Sequence, residues 1–209
     1  FILFLVWITP TAIAAPWLIS ILWGKTNFII SCVLITNIFM AFALPFFFKY
    51  TGYGDLDIFP ILFTTLKIIV VPLFFAQLVQ FFLPKVKKVL LFRFKFLIFY
   101  VWLWVIFLAI SRASDFIIHQ SRIGFFDIVK IFVFVGGVCF VNFFFWRIIG
   151  WKKYSLEAGQ GLGQKNTVFS IWVALNFFTP VIALGPIFYI IFHNLYNVYL
   201  LYPRKNKID

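Results

Sequence analysis

The sequence predicts an all-α polytopic membrane protein, and three observations carry that reading. Its 209 residues are 64% hydrophobic and only 11% charged, against about 25% charged in soluble domains. The apolar residues fall in continuous runs of about 20, the length a helix needs to cross a bilayer. A membrane β-barrel would show shorter, alternating segments. The basic residues gather in short clusters between the runs. A net charge of +12 spread in this way orients helices in a membrane and does not call for a nucleic acid partner.

Seven transmembrane spans follow, over residues 1–23, 26–48, 60–83, 91–111, 127–148, 160–178 and 181–202, with the short connections expected of antiparallel neighbours. Counting Lys and Arg on alternate sides tests the count. One side holds Lys25, then Lys85, Lys87, Lys88, Arg93 and Lys95, then Arg147, Lys152 and Lys153, then Arg204, Lys205 and Lys207. The other holds Lys49, Arg112 and Arg122, together with Asp55, Asp57, Asp115 and Asp127. A twelve-to-three split supports the seven spans and a cytoplasmic C-terminus. It also sets Phe1 on the outer side, so an odd number of spans is expected upstream. The opening run is too long and too aromatic for a signal peptide. Cys32 and Cys139 both lie inside apolar runs, which indicates neither a disulfide framework nor a metal site.

Two spans are interrupted. In the first, "TPTAIAAP" places Pro10 and Pro16 within an apolar helix, where proline removes backbone donors and forces local unwinding. The sixth opens with "GQGLGQKNT", whose Gly159, Gly161 and Gly163 are expected to weaken the helix there. Irregular backbone at membrane depth survives only where it is buried in protein or lines a wet cavity. Two such spans at corresponding places in two halves point to a transporter's binding site. Each is followed by one unbroken span, and the pairs start from opposite sides, as an inverted repeat requires.

Lys165 is the sharpest single feature. An intramembrane cation is costly unless paired or hydrated and tends to be functional; the alternative is a stem that snorkels to the cytoplasmic surface. Gln160, Gln164, Asn166 and Thr167 surround it with hydrogen-bonding groups, which favours function. Lys67 and Lys130 lie near outer span ends and are expected to snorkel. Five of the six acidic residues fall outside the spans as drawn, Glu157 in a cytoplasmic connection, and Asp127 stands at the outer end of one, so no buried carboxylate is expected. His193, Asn194 and Asn197 in "FHNLYN" suit either interhelical hydrogen bonding or a substrate-lining role; Thr36 and Asn37 are further lining candidates. His119 falls in an outer loop. No nucleophile–base pair, metal-spaced cluster or phosphate loop is present in the sequence, so an enzyme is not expected, and no cofactor is called for.

These segments resemble the bile acid:sodium symporter family along the whole chain. "TPTAIAAPWLISILWGKTNF" looks like the family's first broken helix, and "GQKNT" resembles its Gly-x-Gln-Asn-Ser-like motif at Gly163, Asn166 and Thr167. "ALGPIFYIIFHNLYN" is similar to its final helix, with Gly185 and Pro186 exchanged and Phe192 in a tryptophan position, and "LKIIVVPLFFAQLVQFFLP" looks like the helix opening the second repeat. The resemblance implies an inverted-repeat transporter fold of ten helices, with panel and core domains and two discontinuous crossing helices. Residues 1–48 would be the last two helices of the first repeat, 49–59 an outer loop, 60–202 the second repeat and 203–209 a basic tail. The first three helices would lie outside the chain.

The resemblance also implies secondary transport of a small organic anion, a bile-acid-like molecule, keto acid or related carboxylate, across a bacterial inner membrane. Sodium coupling would come with it, but the family's glutamate and glutamine at the ion site align with Gly161 and Lys165, and its Ser-Asn pair aligns with Ala15 and Pro16. A cation therefore stands where a cation normally binds. The candidate site is Pro10, Thr11, Pro16, Gln160, Gly161, Gly163, Gln164, Lys165, Asn166 and Thr167, with Thr36, Asn37, His193 and Asn194 at its margins. The alternatives are a non-transporting or degenerate member of the same fold and, more remotely, a membrane-embedded enzyme.

Overall fold

The structure is a computed structural model that describes residues 1–50, 58–83, 93, 95–119 and 123–205. Asp55, Asp57, Lys85, Lys87, Lys88, Arg122, Lys207 and Asp209 lie outside the described residues, as do most of the expected outer loop and the end of the basic tail. The helices are α1 (Ile2–Ile8), α2 (Ala15–Ile21), α3 (Thr26–Tyr50), α4 (Ile58–Phe82), α5 (Lys95–His119), α6 (Phe125–Ile149), α7 (Trp151–Gly163), α8 (Thr167–Phe177) and, after a 3-10 turn over Pro180–Ala183, α9 (Leu184–Lys205). Among the described residues there is no strand, and the single β-bridge is isolated. Among the described residues, three segments are long and apolar enough to cross a membrane: Thr26–Phe47, Phe125–Ile149 and Pro180–Tyr202.

The chain divides into two compact units. The first contains Phe1–Thr36 and Ala109–Asp209, and so both interrupted helices. Its interior is built along one stripe of α6, where Val135, Cys139, Asn142 and Phe143 are buried at the spacing of a single helix face. Val6 and Tyr189 pack against that stripe. A second cluster joins Ala15, Ile19 and Ile29, with Cys32 and Leu156 beside it. The opposite face of α6 exposes Phe134, Phe140, Phe144 and Phe145. In lipid this is the expected arrangement: the surroundings are as apolar as the interior, and close packing and polar contacts hold the helices together. The described residues of the second unit, Asn37–Leu108, include the later part of α3, all of α4 and the first part of α5. Pro45 and Pro72 sit inside its helices.

Four expectations need correction. The sixth span does not begin at residue 160: α7 starts at Trp151, kinks at Tyr154 and runs through Gly163. The glycines of "GQGLG" are helical, and the break falls at Gln164–Asn166. Pro16 is not part of the first break but stands in the first turn of α2, where its missing N–H costs nothing. Helix α5 continues to His119, so Asp115 and His119 lie one turn apart on it at 3.8 Å and not in a loop. Finally, Glu157 is buried within α7. Its carboxylate Oε1 accepts the Lys25 backbone N–H at 2.7 Å, where α3 begins and a helix favours negative charge. Lys130 meets Asp127 at 3.1 Å on the exposed first turn of α6.

Candidate functional site where two interrupted helices meet

Helix α1 ends at Ile8 because Pro10 follows Thr9. A residue before proline is pushed out of the helical region, and Thr9 has φ −50° and ψ 131°. The chain then runs irregularly to Ala14 before α2 begins. The second break separates α7 from α8 at Gln164, Lys165 and Asn166, and Asn166 caps α8 by accepting the Phe169 N–H on Oδ1 at 3.3 Å. Asparagine suits this position because its side chain replaces a missing helical acceptor.

The two breaks pair with each other as a short antiparallel bridge between Thr11 and Lys165. Ala12 N–H donates to the Gln164 carbonyl at 2.8 Å, and Asn166 N–H donates to the Pro10 carbonyl at 2.8 Å. Unwinding a helix in a membrane leaves backbone groups that must find partners inside the protein, and each break supplies them to the other. Side chains complete the account. Thr11 Oγ1 donates to the Gly161 carbonyl. Thr36 Oγ1 accepts the Thr11 N–H at 3.1 Å and donates to Thr11 Oγ1 at 3.0 Å. Tyr189 donates to the Gly163 carbonyl at 2.6 Å. Thr9 Oγ1 donates to the Leu5 carbonyl at 2.6 Å and lies 2.5 Å from Ser170 Oγ.

Lys165 belongs to the same account. It is 4% exposed, and its Nζ donates to the Trp7 carbonyl at 2.8 Å. That carbonyl lies in the last turn of α1, the negative end of the helix dipole and a favourable place for a cation. Snorkelling is thereby excluded as its posture here: the ammonium turns into the protein, toward the other broken helix. An ammonium has three donors; among the described residues, one has a protein acceptor and no carboxylate lies within ion-pair distance.

On α9, Tyr189, His193 and Asn197 stand on successive turns, all buried, and Tyr189 and Asn197 reach α7. Gln160 Nε2 donates to Asn197 Oδ1 at 3.1 Å, and the His193 ring lies edge-on to Tyr189 with centroids 5.7 Å apart. From α6, Asn142 Nδ2 donates to Tyr189 at 3.3 Å, and Arg147 reaches the Tyr196 hydroxyl at 2.8 Å. Among the described residues three buried atoms have no protein hydrogen-bond partner: Gln160 Oε1, Gln164 Oε1 and His193 Nδ1. Leaving a buried polar atom unpaired costs about 1–3 kcal/mol, and these three lie on α7, the break that follows it and α9.

The structure therefore brings together Pro10, Thr11, Thr36, Gln160, Gly161, Gly163, Gln164, Lys165 and Asn166. Thr167 is buried as the first residue of α8, its N–H donating to the Lys165 carbonyl at 2.9 Å. Asn37 is buried but falls in the second unit. Asn194 is half-buried and makes no hydrogen bond among the described residues. Sequence reasoning missed Thr9, Ser170, Tyr189 and the Trp7 carbonyl. The polar positions Tyr189, His193 and Asn197, repeating every four residues in an apolar helix, were the signal that a polar face was present. No protein-family model, curated protein or solved structure matches the chain.

Proposed function

We propose that the chain is a secondary transporter of a small organic anion, of the bile acid:sodium symporter type, working by alternating access. The observation that carries this reading is the pairing of two interrupted helices through Thr11 and Lys165, with a buried cation at the junction. Broken helices meeting in this way are how transporters expose half-helix ends to a substrate and its coupling ion. The division of the chain into a unit holding both interrupted helices and a second unit agrees with the panel and core domains that the resemblance implies. The twelve-to-three charge split supports a cytoplasmic C-terminus, and the resemblance an inner-membrane location.

In this reading the Lys165 ammonium occupies the role of a coupling cation. Half-helix C-terminal ends coordinate the ion in such transporters, and Lys165 meets the C-terminal end of α1 through the Trp7 carbonyl. A cation tethered to the chain balances the charge of an entering anion and removes the need for sodium. The unpaired Gln160 Oε1, Gln164 Oε1 and His193 Nδ1 are the polar groups left to meet a substrate. A counterflow screen tests this: proteoliposomes preloaded with one organic anion and offered trace label of the same compound. Accumulation is expected for at least one carboxylate and for no organic cation. Flat traces across bile acids, keto acids and related carboxylates would overturn the reading.

A further inference from the structure

Two tryptophans near the ends of membrane-crossing helices hold backbone conformations that favour glycine. Trp23, just before α3, has φ 58°, and Trp151, just after α6, has φ 49°. A side chain in this left-handed region is strained. At Trp23 the turn is a standard helix stop, with Trp23 N–H donating to the Ser20 carbonyl at 3.3 Å and Gly24 N–H to the Ile19 carbonyl at 3.0 Å. Glycine would close it without strain. Neither indole contributes to the interior: Trp23 is 84% and Trp151 75% exposed. Strained residues that stabilise nothing inside the fold point to a use outside it.

The two turns also lie together. Lys25 Nζ lies 4.2 Å from the Tyr154 ring centroid and Lys153 Nζ 5.3 Å from the same centroid, and Lys25 Nζ reaches the Lys153 carbonyl at 3.4 Å. Phe28 stacks on Tyr154 at 4.9 Å. The nearby Glu157 carboxylate is buried and turned to the Lys25 backbone N–H. Among the described residues neither ammonium has a carboxylate within ion-pair distance. Two cations thus converge on one ring without a counter-charge, and Lys152 stands exposed beside them.

We propose that this face binds the phosphate headgroup of an anionic phospholipid, held by Lys25 and Lys153 with Lys152 at the edge, while the Trp23 and Trp151 indoles sit at the acyl-chain boundary. Tryptophan settles at that level of a bilayer, and the two indoles adjoin the ends of the crossing segments that begin at Thr26 and end at Ile149. The site rests on membrane insertion alone and is independent of the transport reading.

Native mass spectrometry of the purified protein, released from mixed phosphatidylglycerol and phosphatidylcholine micelles, tests it. The wild type should retain phosphatidylglycerol preferentially. Lys25→Gln and Lys153→Gln should each weaken that retention about fivefold. Trp23→Gly should melt no lower than wild type in lipid-free detergent, because it relieves the strained turn, yet lose retained lipid. Equal retention of both lipids by the wild type would overturn the proposal, as would undiminished preference in the double lysine variant. So would a Trp23→Gly protein that melts lower but keeps its lipid, since the tryptophan would then be structural. Displacement of the lipid by millimolar inorganic phosphate would assign the site to a free anion instead and sink the lipid assignment.

Discussion

Gly163→Ala separates two uses of glycine that a sequence cannot tell apart. On helix propensity alone the change is favourable by about 1 kcal/mol, because alanine loses less backbone freedom. The structure gives the opposite sign. A Cβ at Gly163 would lie 2.5 Å from Phe143 Cγ and Cε1, where carbon atoms settle at about 3.5–4.0 Å. The ring must retreat by roughly 1 Å, but Phe143 is buried and its ring packs on Tyr196 with centroids 4.2 Å apart. Overpacking of this kind costs about 1–3 kcal/mol. Shifting the Gly163 carbonyl away from the Tyr189 hydroxyl, now 2.6 Å off, costs about 1 kcal/mol more. After the propensity gain, the net is a loss of about 1–3 kcal/mol, or several degrees of melting temperature for a chain of this size. In a Cys32→Ala background, which removes the half-buried second thiol, a thiol-reactive dye reads unfolding directly, because Cys139 is buried one turn from Phe143. Phe143→Leu should remove most of the penalty, with a coupling of about 1–2 kcal/mol in the double-mutant cycle. A Gly163→Ala protein that melts higher than wild type, or a cycle without coupling, would refute the close-packing account.

Other substitutions probe the remaining joints. Thr11→Val keeps the shape but removes the hydroxyl that donates to the Gly161 carbonyl and accepts from Thr36; it should cost about 1–2 kcal/mol, read as melting temperature in detergent. Glu157→Ala, which leaves the Lys25 N–H without its buried acceptor, should cost about 2–3 kcal/mol, and Glu157→Gln about 1 kcal/mol or less. Lys165→Met loses a charge-assisted bond to the Trp7 carbonyl worth about 1.5–3 kcal/mol. It also removes an ammonium whose burial costs several kcal/mol, so the melting temperature should stay within a few degrees of wild type. A collapse of the fold would make Lys165 a structural staple.

Much of the helical layout was legible because it follows from local physics. Apolar runs of bilayer length fold as helices, and Pro10 ends α1 through a steric effect on its neighbour that no tertiary context can remove. The second break was legible in place only to within a few residues. Glycine was read as a source of backbone freedom, whereas Gly159, Gly161 and Gly163 stay helical and leave room for Arg147, for Ile29 and Cys32, and for Phe143. The break itself falls where neither glycine nor proline stands, at Gln164–Asn166, held by pairing with residues more than 150 positions away. Such pairing leaves no local signature. The same holds for Glu157: in "WKKYSLEA" the charges read as a connection, and only the approach of the Lys25 turn gives the carboxylate a buried role. Lys165 stood out in the sequence as an intramembrane cation, but its partner, a main-chain carbonyl, is a group every residue possesses.

The most direct measurement is initial uptake of a substrate from the counterflow screen into proteoliposomes, in sodium and in choline buffer, for wild type and Lys165→Met at matched folded protein. With the Lys165 ammonium serving as the coupling cation, the wild type should transport equally in both buffers and Lys165→Met should fail in choline. Strict sodium dependence of the wild type, or Lys165→Met uptake at the wild-type rate in choline, would contradict it.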